Sequence, residues 1–326
     1  MKFSIRNLLL LVSLCVLALS AAACTRQEGP FPSREIRLIV HASPGGISDG
    51  VSRYIGRELQ EELRVPVIVE NRTGGGGAVA FSYVAAAKPD GYTMGYTPVD
   101  LAIVPHLGYV RVSPADFDPL IMHTRASAAL AVRIDSRWKT LEEFIETARA
   151  KRLGINLATA GPGSLWQLGS IELSRRIGTE FNYVPFPGSG PSVTALLGGH
   201  VDAVVAGVSE VRNQVRAGNL RLLGVMAPER TPLFPDVPTF RERGYDLVFQ
   251  AWGGLMLPKG TPADRRDRLA KALLMVVQGD VFRRFCADAG IEVAPKGPEE
   301  FTSFLAAEHQ GFGPIVKTAG LGISAR

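Results

Sequence analysis

Residues 154–169 read GINLATAGPGSLWQLG. The apolar run Ile155–Ala158 is strand-like, Gly161-Pro162-Gly163 is a tight turn, and the periodic residues that follow Ser164 predict a helix. The same strand–glycine turn–helix design returns twice. LIVHASPGGISDG passes through Pro44-Gly45-Gly46, and VPFPGSGPSVTALLGG passes through Gly188-Ser189-Gly190, with Pro191 suited to a first helical turn. Around these segments strand-like and helix-like stretches alternate: IRLIV, VPVIVE, YTMGYT, FNYVPF, DAVVAG and LRLLGVMA read as strands. A helix carries Val51, Tyr54, Ile55 and Leu59 on one face. Thr140 and Glu143 form a capping box ahead of the apolar stripe Leu141, Phe144, Ile145 and Ala148, and Thr261-Pro262 opens a late helix. Repeated βα alternation predicts an α/β protein with mostly parallel sheets flanked by helices.

A strand that turns through glycines into a helix leaves the first N–H groups of that helix without partners. The positive end of the helix dipole favours an anion there by about 0.3–1 kcal/mol. Ser48, Ser164, Ser189 and Ser192 add hydroxyl donors at the three turns. Several such ends meeting at one crevice would hold a carboxylate without Lys or Arg. Other glycine-loop chemistries fail on spacing. No glycine is followed by Lys and then Ser or Thr, so a Walker loop is excluded. GPGSLW lacks the third glycine of a dinucleotide fingerprint, and Ser164 lacks the GxSxG frame of a nucleophile elbow. The four glycines of TGGGGA, ahead of a small-residue helix, read first as a tight turn with close helix–sheet packing. The five histidines (His41, His106, His123, His200, His309) show no metal-like spacing and read as surface or capping residues. The chain shows no assembled catalytic set and calls for no cofactor or metal.

The 326 residues, 46% hydrophobic and 21% charged, allow about two domains. Lys2 and Arg6, the apolar stretch Leu8–Leu19 and the small residues SAAAC describe a secretory leader over residues 1–23. That apolar run is shorter than the roughly 20 residues of a membrane span. AAAC resembles a lipobox, which makes Cys24 the expected lipidated first residue, with 24–30 as a tether; ordinary cleavage after AAA is the alternative. The chain therefore reads as exported, in the periplasm or cell envelope, held to the membrane only by a lipid. Cys15 leaves with the leader and Cys24 carries the lipid, so Cys286 has no disulfide partner and reads as a small buried hydrophobe. Net charge is +5, or +3 without Lys2 and Arg6, and it is scattered among acids rather than gathered into a nucleic-acid stripe. ALAVRIDS near 130 and AWGGLMLPKG near 255 read as strands crossing between two lobes. The expected layout is 31–128 plus 252–326 for one lobe and 129–251 for the other, with a ligand cleft between them.

FPSREIRLIV, PGGISDGVSR, VPVIVENRTGGGG, KPDGYTM, ADFDPL, TAGPGS, VPFPGSGPSVTALLGGHVD, RTPLFPDVPTFRERGY and WGGLMLPKGTPA occur in that order. Together they resemble the substrate-binding proteins of tripartite tricarboxylate transporters, the Bordetella uptake gene family, over about residues 31–321. The resemblance implies a periplasmic two-lobe Venus flytrap of the type II class. Such a protein is a monomeric binding protein, not an enzyme, that hands a small organic anion to a two-subunit membrane permease. By matching motifs it implies ligand contacts from Pro44, Gly45, Gly46 and Asp49, from Thr159, Ala160, Gly161 and Ser164, and from Gly188, Ser189 and Ser192. Ala42, Ser43, Ser48, Trp166 and Ala206 complete the expected contact set.

Departures from the family pattern bear on the ligand. An aromatic residue is common where Ala42 stands, small hydroxyl residues where Leu165 and Trp166 stand, a His at Gln167, and often an Asp at Ala206. Leu165 and Trp166 make the pocket less hydrophilic, which predicts one carboxylate on an apolar or aromatic body; alternatively Trp166 packs into the core of its helix. Two other functions stay open on sequence. One is a ligand sensor signalling to a membrane kinase, and the other, less supported, is an exported hydrolase using Ser164.

Overall fold

The computed structural model describes residues 30–322 apart from 109, 151–153 and 162. The leader, the tether and Cys24 lie outside the described residues, as does Pro162 of the second glycine turn.

Two sheets share one long strand. In the first sheet, β1 (Ile36–Val40) lies between β2 (Val67–Asn71) and β3 (Thr93–Pro98), parallel to both, with Leu38 opposite Val69 and Met94. β3 then meets β9 (Gln250–Pro258) antiparallel, and β9 pairs antiparallel with β4 (Phe117–Arg133) from Phe117 to Ser127. β10 (Glu292–Lys296) closes the other edge of that half of β4. From Ala128 onward β4 belongs to the second sheet, where β7 (Ala203–Gly207) and β8 (Leu220–Met226) flank it antiparallel. β5 (Asn156–Thr159) and β6 (Asn182–Pro185) extend that sheet parallel to β7. Parallel pairing therefore holds within each βα run, and antiparallel pairing appears where the chain crosses between sheets. β4 changes sheets between Ser127 and Ala128, and the chain returns through Phe249 into Gln250, against expected boundaries of 128/129 and 251/252.

The helices follow from local chemistry. α1 (Ile47–Leu63) buries Val51, Ile55 and Leu59 against β1 and β2 and stops at Arg64, which adopts φ 59°. α2 (Ala78–Ala85) follows the four glycines, all at positive φ; a Cβ on Gly77 would lie 2.6 Å from the Phe81 ring. α3 (Asp100–Leu107) starts directly after β3. α4 (Leu141–Arg149) has the expected capping box, with Glu143 N–H donating to Thr140 Oγ1 at 3.2 Å, and buries Leu141, Phe144, Ile145 and Ala148. α5 (Leu165–Ile177), α6 (Ser189–Leu197) and α7 (Val208–Arg216) flank the second sheet. α8 (Ala263–Gln278), α9 (Asp280–Ala289) and α10 (Pro298–Thr318) complete the chain, with Pro262 as the cap of α8.

Cys286 is fully buried, and burial pushes its thiol up to about 12, as suits a small hydrophobe. His123 corrects the surface or capping reading of the histidines. It is fully buried on β4, its Nδ1 lies 3.0 Å from Thr124 Oγ1, and desolvation brings it down to about 3.

Candidate functional site

A cavity of 180 Å³ lies between the two sheets, and helix starts surround it. Ile47 and Ser48 come from the first turn of α1, Val99 and Asp100 from the start of α3, Leu165 and Trp166 from the start of α5, and Ser209 and Glu210 from the first turn of α7. Four helix N-termini therefore border one cavity. β4 and its neighbour β9 form its floor, through Thr124, Arg125 and Ala126 of β4 and Ala251, Trp252 and Gly253 of β9. Gly253 is needed there because a Cβ would lie 2.2 Å from the Tyr96 hydroxyl.

Burial tunes the polar groups of the cavity. His41, at the end of β1, stacks on Tyr96 with ring centroids 5.6 Å apart, and its Nδ1 is buried without a partner. Desolvation lowers the His41 pKa, opposed by the charge of Asp100; desolvation in turn raises Asp100, opposed by His41. Desolvation pushes Tyr96 up to about 12, with Ser48 donating against the shift. It also raises Glu210, opposed by donation from Gly207 N–H (2.7 Å) and from the Trp166 and Ser189 side chains. The one Arg of the cavity wall, Arg125, is tied to Glu292 at 3.0 Å.

The structure distributes the expected site residues unevenly. Ser48 and Trp166 line the cavity. Trp166 is 8% exposed, packs into the core cluster and also lines the cavity. Ser189 reaches Glu210 from behind the wall. Ser43, Pro44, Gly45 and Gly46 form an exposed loop, and Asn71 Nδ2 donates to the Ala42 carbonyl at 2.8 Å. Asp49 turns into this loop rather than the cavity, accepting from Gly45 N–H (2.9 Å), Arg53 Nε (3.0 Å) and Asn71 Nδ2 (2.9 Å). Ser164 caps α5 by accepting from Gln167 N–H at 3.2 Å. Ala160 and Gly161 are half-buried beside it. The Ser192 hydroxyl sits 2.9 Å from the Gly188 carbonyl and 3.0 Å from that of Thr159, and the Thr159 hydroxyl is buried without a partner. Ala206 is buried in β7 opposite Ala129.

Sequence reasoning missed His41, Tyr96, Asp100, Arg125, Glu210 and Trp252. Two of them had a readable signal. YTPVD and GVSE are also strand ends running into helices with an acid in the first turn, but they lack a glycine pair and so escaped a search for glycine turns.

A larger hollow of 660 Å³ shares Trp252 and lies between α5, α10 and Val248–Gln250. Its acids are already engaged: Glu172 accepts from Arg175 and Arg176, and Glu308 accepts from the Trp252 indole N–H at 3.0 Å. The smaller cavity is therefore the better candidate, because helix starts converge there. Among the described residues no three His, Cys, Asp or Glu side chains are grouped to hold a metal, and no helix is long and apolar enough to cross a membrane.

A family model described as "Tripartite tricarboxylate transporter family receptor" matches residues 51–321. The chain belongs to this family. Tripartite tricarboxylate transporter receptors are extracytoplasmic solute-binding proteins and not enzymes, which removes the hydrolase alternative. BugT of Bordetella pertussis is 31% identical over 317 residues, covering 93% of this chain and 95% of BugT. A TctC solute-binding protein from Polaromonas superposes with a TM-score of 0.83 at 32% identity, covering 88% of this chain and 99% of that one. MatC of Rhodopseudomonas palustris, solved with bound malate, superposes at 0.69 with 30% identity, covering 88% and 100%. The receptor fold of two lobes is thus shared with solved family members.

Proposed function

We propose that this receptor captures a small organic carboxylate between its two sheets and delivers it to a two-subunit membrane permease. The observation that carries the reading is the convergence of four helix N-termini on one cavity between two sheets that share β4. Unpartnered N–H groups and aligned dipoles at such ends suit an anion, and the malate bound to MatC is of that chemistry. The lobes divide where β4 passes from the first sheet to the second and where Phe249 leads back into β9, and ligand binding draws them together. In the closed form the exposed loop Ser43–Gly46, the residues Thr159, Ala160, Gly161 and Ser164 and the start of α6 at Gly188, Ser189 and Ser192 join Ser48 and Trp166 around the ligand. Closure excludes water, strengthens each hydrogen bond and marks the loaded receptor for the permease.

Ile47, Leu165, Trp166, Trp252 and Ile291 give the cavity an apolar flank, which supports a ligand with an apolar or aromatic body beside its carboxylate. Polar ligand atoms left without partners there would each cost about 1–3 kcal/mol. The receptor acts as a monomer, tethered through a lipid on Cys24.

Calorimetry with a panel of carboxylates tests the reading. At least one small monocarboxylate with an apolar body should bind, and Trp166→Ala should weaken it about tenfold or more. Tight citrate binding with no response to any apolar-bodied acid would overturn the ligand class, and no response to any acid would overturn the function.

A further inference from the structure

One guanidinium spans the two halves of the molecule. Arg212 belongs to α7, whose Val208 and Val211 pack into the core of the second sheet with Val204 and Leu222. It donates from Nη1 to the Ala287 carbonyl at 3.0 Å and from Nη2 to the Asp288 carbonyl at 2.9 Å. Both carbonyls lie in the last turn of α9, whose Phe282 and Cys286 pack into the core of the first sheet with Ile36 and Leu38. Among the described residues, these are the only side-chain hydrogen bonds that join residues 128–249 to the rest of the chain. Every ion pair, including Arg125–Glu292 and Arg243–Glu142, stays within one half.

The contact is built from both sides. The last carbonyls of a helix lack intrahelical partners and carry the negative end of its dipole, and the planar fork of an Arg offers two donors to them at once. Gly290 ends α9 at φ 73°, and a Cβ on it would lie 2.9 Å from Arg212 Nη1 and 3.2 Å from its Cζ. Glycine therefore serves twice there, for the left-handed turn and for the approach of the guanidinium. Both partners also adjoin the cavity. Ser209 and Glu210 precede Arg212 on α7, Ile291 follows Gly290, and all three line the wall.

We infer that Arg212 is a latch between the lobes, holding the start of α7 against the end of α9 so that both walls of the cavity stay within reach of one guest. Any opening that parts α7 from α9 breaks both bonds. The inference rests on the two-lobe fold and not on the carboxylate reading, so its test needs no ligand.

Small-angle scattering of the mature receptor without added acid, with thermal melting as the check on folding, reads the latch. The radius of gyration should rise in Arg212→Ala, with the ratio of open to closed molecules increasing about tenfold. Gly290→Ala should open the receptor too, because it displaces the guanidinium while leaving Arg212 in place, and it keeps the test alive if Arg212→Ala fails to fold. The double variant should open no further than Arg212→Ala, since both changes break one contact. Gly178→Ala is the matched control: Gly178 ends α5 at φ 68° with open space where a Cβ would sit, so the same cap strain is imposed away from any guanidinium, and the radius should not change. An unchanged radius in both Arg212→Ala and Gly290→Ala, or an equal rise in Gly178→Ala, overturns the inference. So does a rise in Asp288→Asn, because the carboxylate rather than the main chain would then be the partner.

Discussion

Asp49 illustrates how one side chain can organise an exposed loop without touching the cavity. Its carboxylate gathers donors from Gly45, Arg53 and Asn71, and the Arg53 guanidinium is the main reason its pKa lies at about 2 rather than 3.8. A depressed carboxyl stabilises the fold fully above the unfolded value and loses that contribution as pH falls through the folded one. Half of Arg53 is exposed, so screening trims the effect to about 1–2 kcal/mol. Asp49→Asn should therefore lower thermal stability at pH 7 by about that amount, with the difference from the parent shrinking between about pH 4 and pH 2. A pH-independent difference in melting temperature would refute the assignment. The loop position of Asp49 was legible in PGGISDG, but its direction was not, because the pattern is silent about Asn71 arriving from β2. His41, Tyr96 and Asp100 were missed for the same reason. Each is ordinary in its own segment and becomes part of a site only when β1 and β3 lie side by side.

Helix starts were the most legible elements, since the chemistry of a cap is written within four residues. Thr140 with Glu143 forms as its spacing predicts, and Ser164 caps α5 through Gln167 N–H. They differ in what they border, and that difference gives a paired expectation. Thr140→Ala should cost about 1 kcal/mol of stability and leave ligand affinity unchanged. Ser164→Ala should cost a similar amount of stability and also weaken the ligand about tenfold, because it loosens the α5 start at the cavity. Equal affinity losses in the two variants, measured by calorimetry, would mean that affinity merely follows stability. At the third glycine turn the Ser192 hydroxyl of α6 meets the Thr159 and Gly188 carbonyls, and α7, which no glycine pair marks, also starts at the cavity wall.

At the scale of the molecule, two sheets share β4, and the residue at which it changes sheets is hard to read from sequence. The crossing segments are as apolar as any core strand, and nothing in their composition marks the residue at which the partner strands change. A ligand held by both halves should couple them. At about 100 times its dissociation constant it should add about 2.7 kcal/mol to stability. Small-angle scattering should show the radius of gyration falling on binding; a shift in melting temperature with no compaction would argue that one half holds the ligand alone.

β4 also limits how the molecule can evolve. Register shifts after Pro119 and after Met122 set two extra residues of β4 against β9, and a further shift between Leu130 and Ala131 falls on the β8 side, so the strand takes up single-residue changes as bulges. The uninterrupted run from Ala128 to Val132 against β7 has no such slack, and an insertion inside it would turn Leu130 and Val132 to the opposite face. Length changes are therefore absorbed at the bulges rather than in that run, whereas the turns that border the cavity are free to drift in sequence and with them the choice of guest.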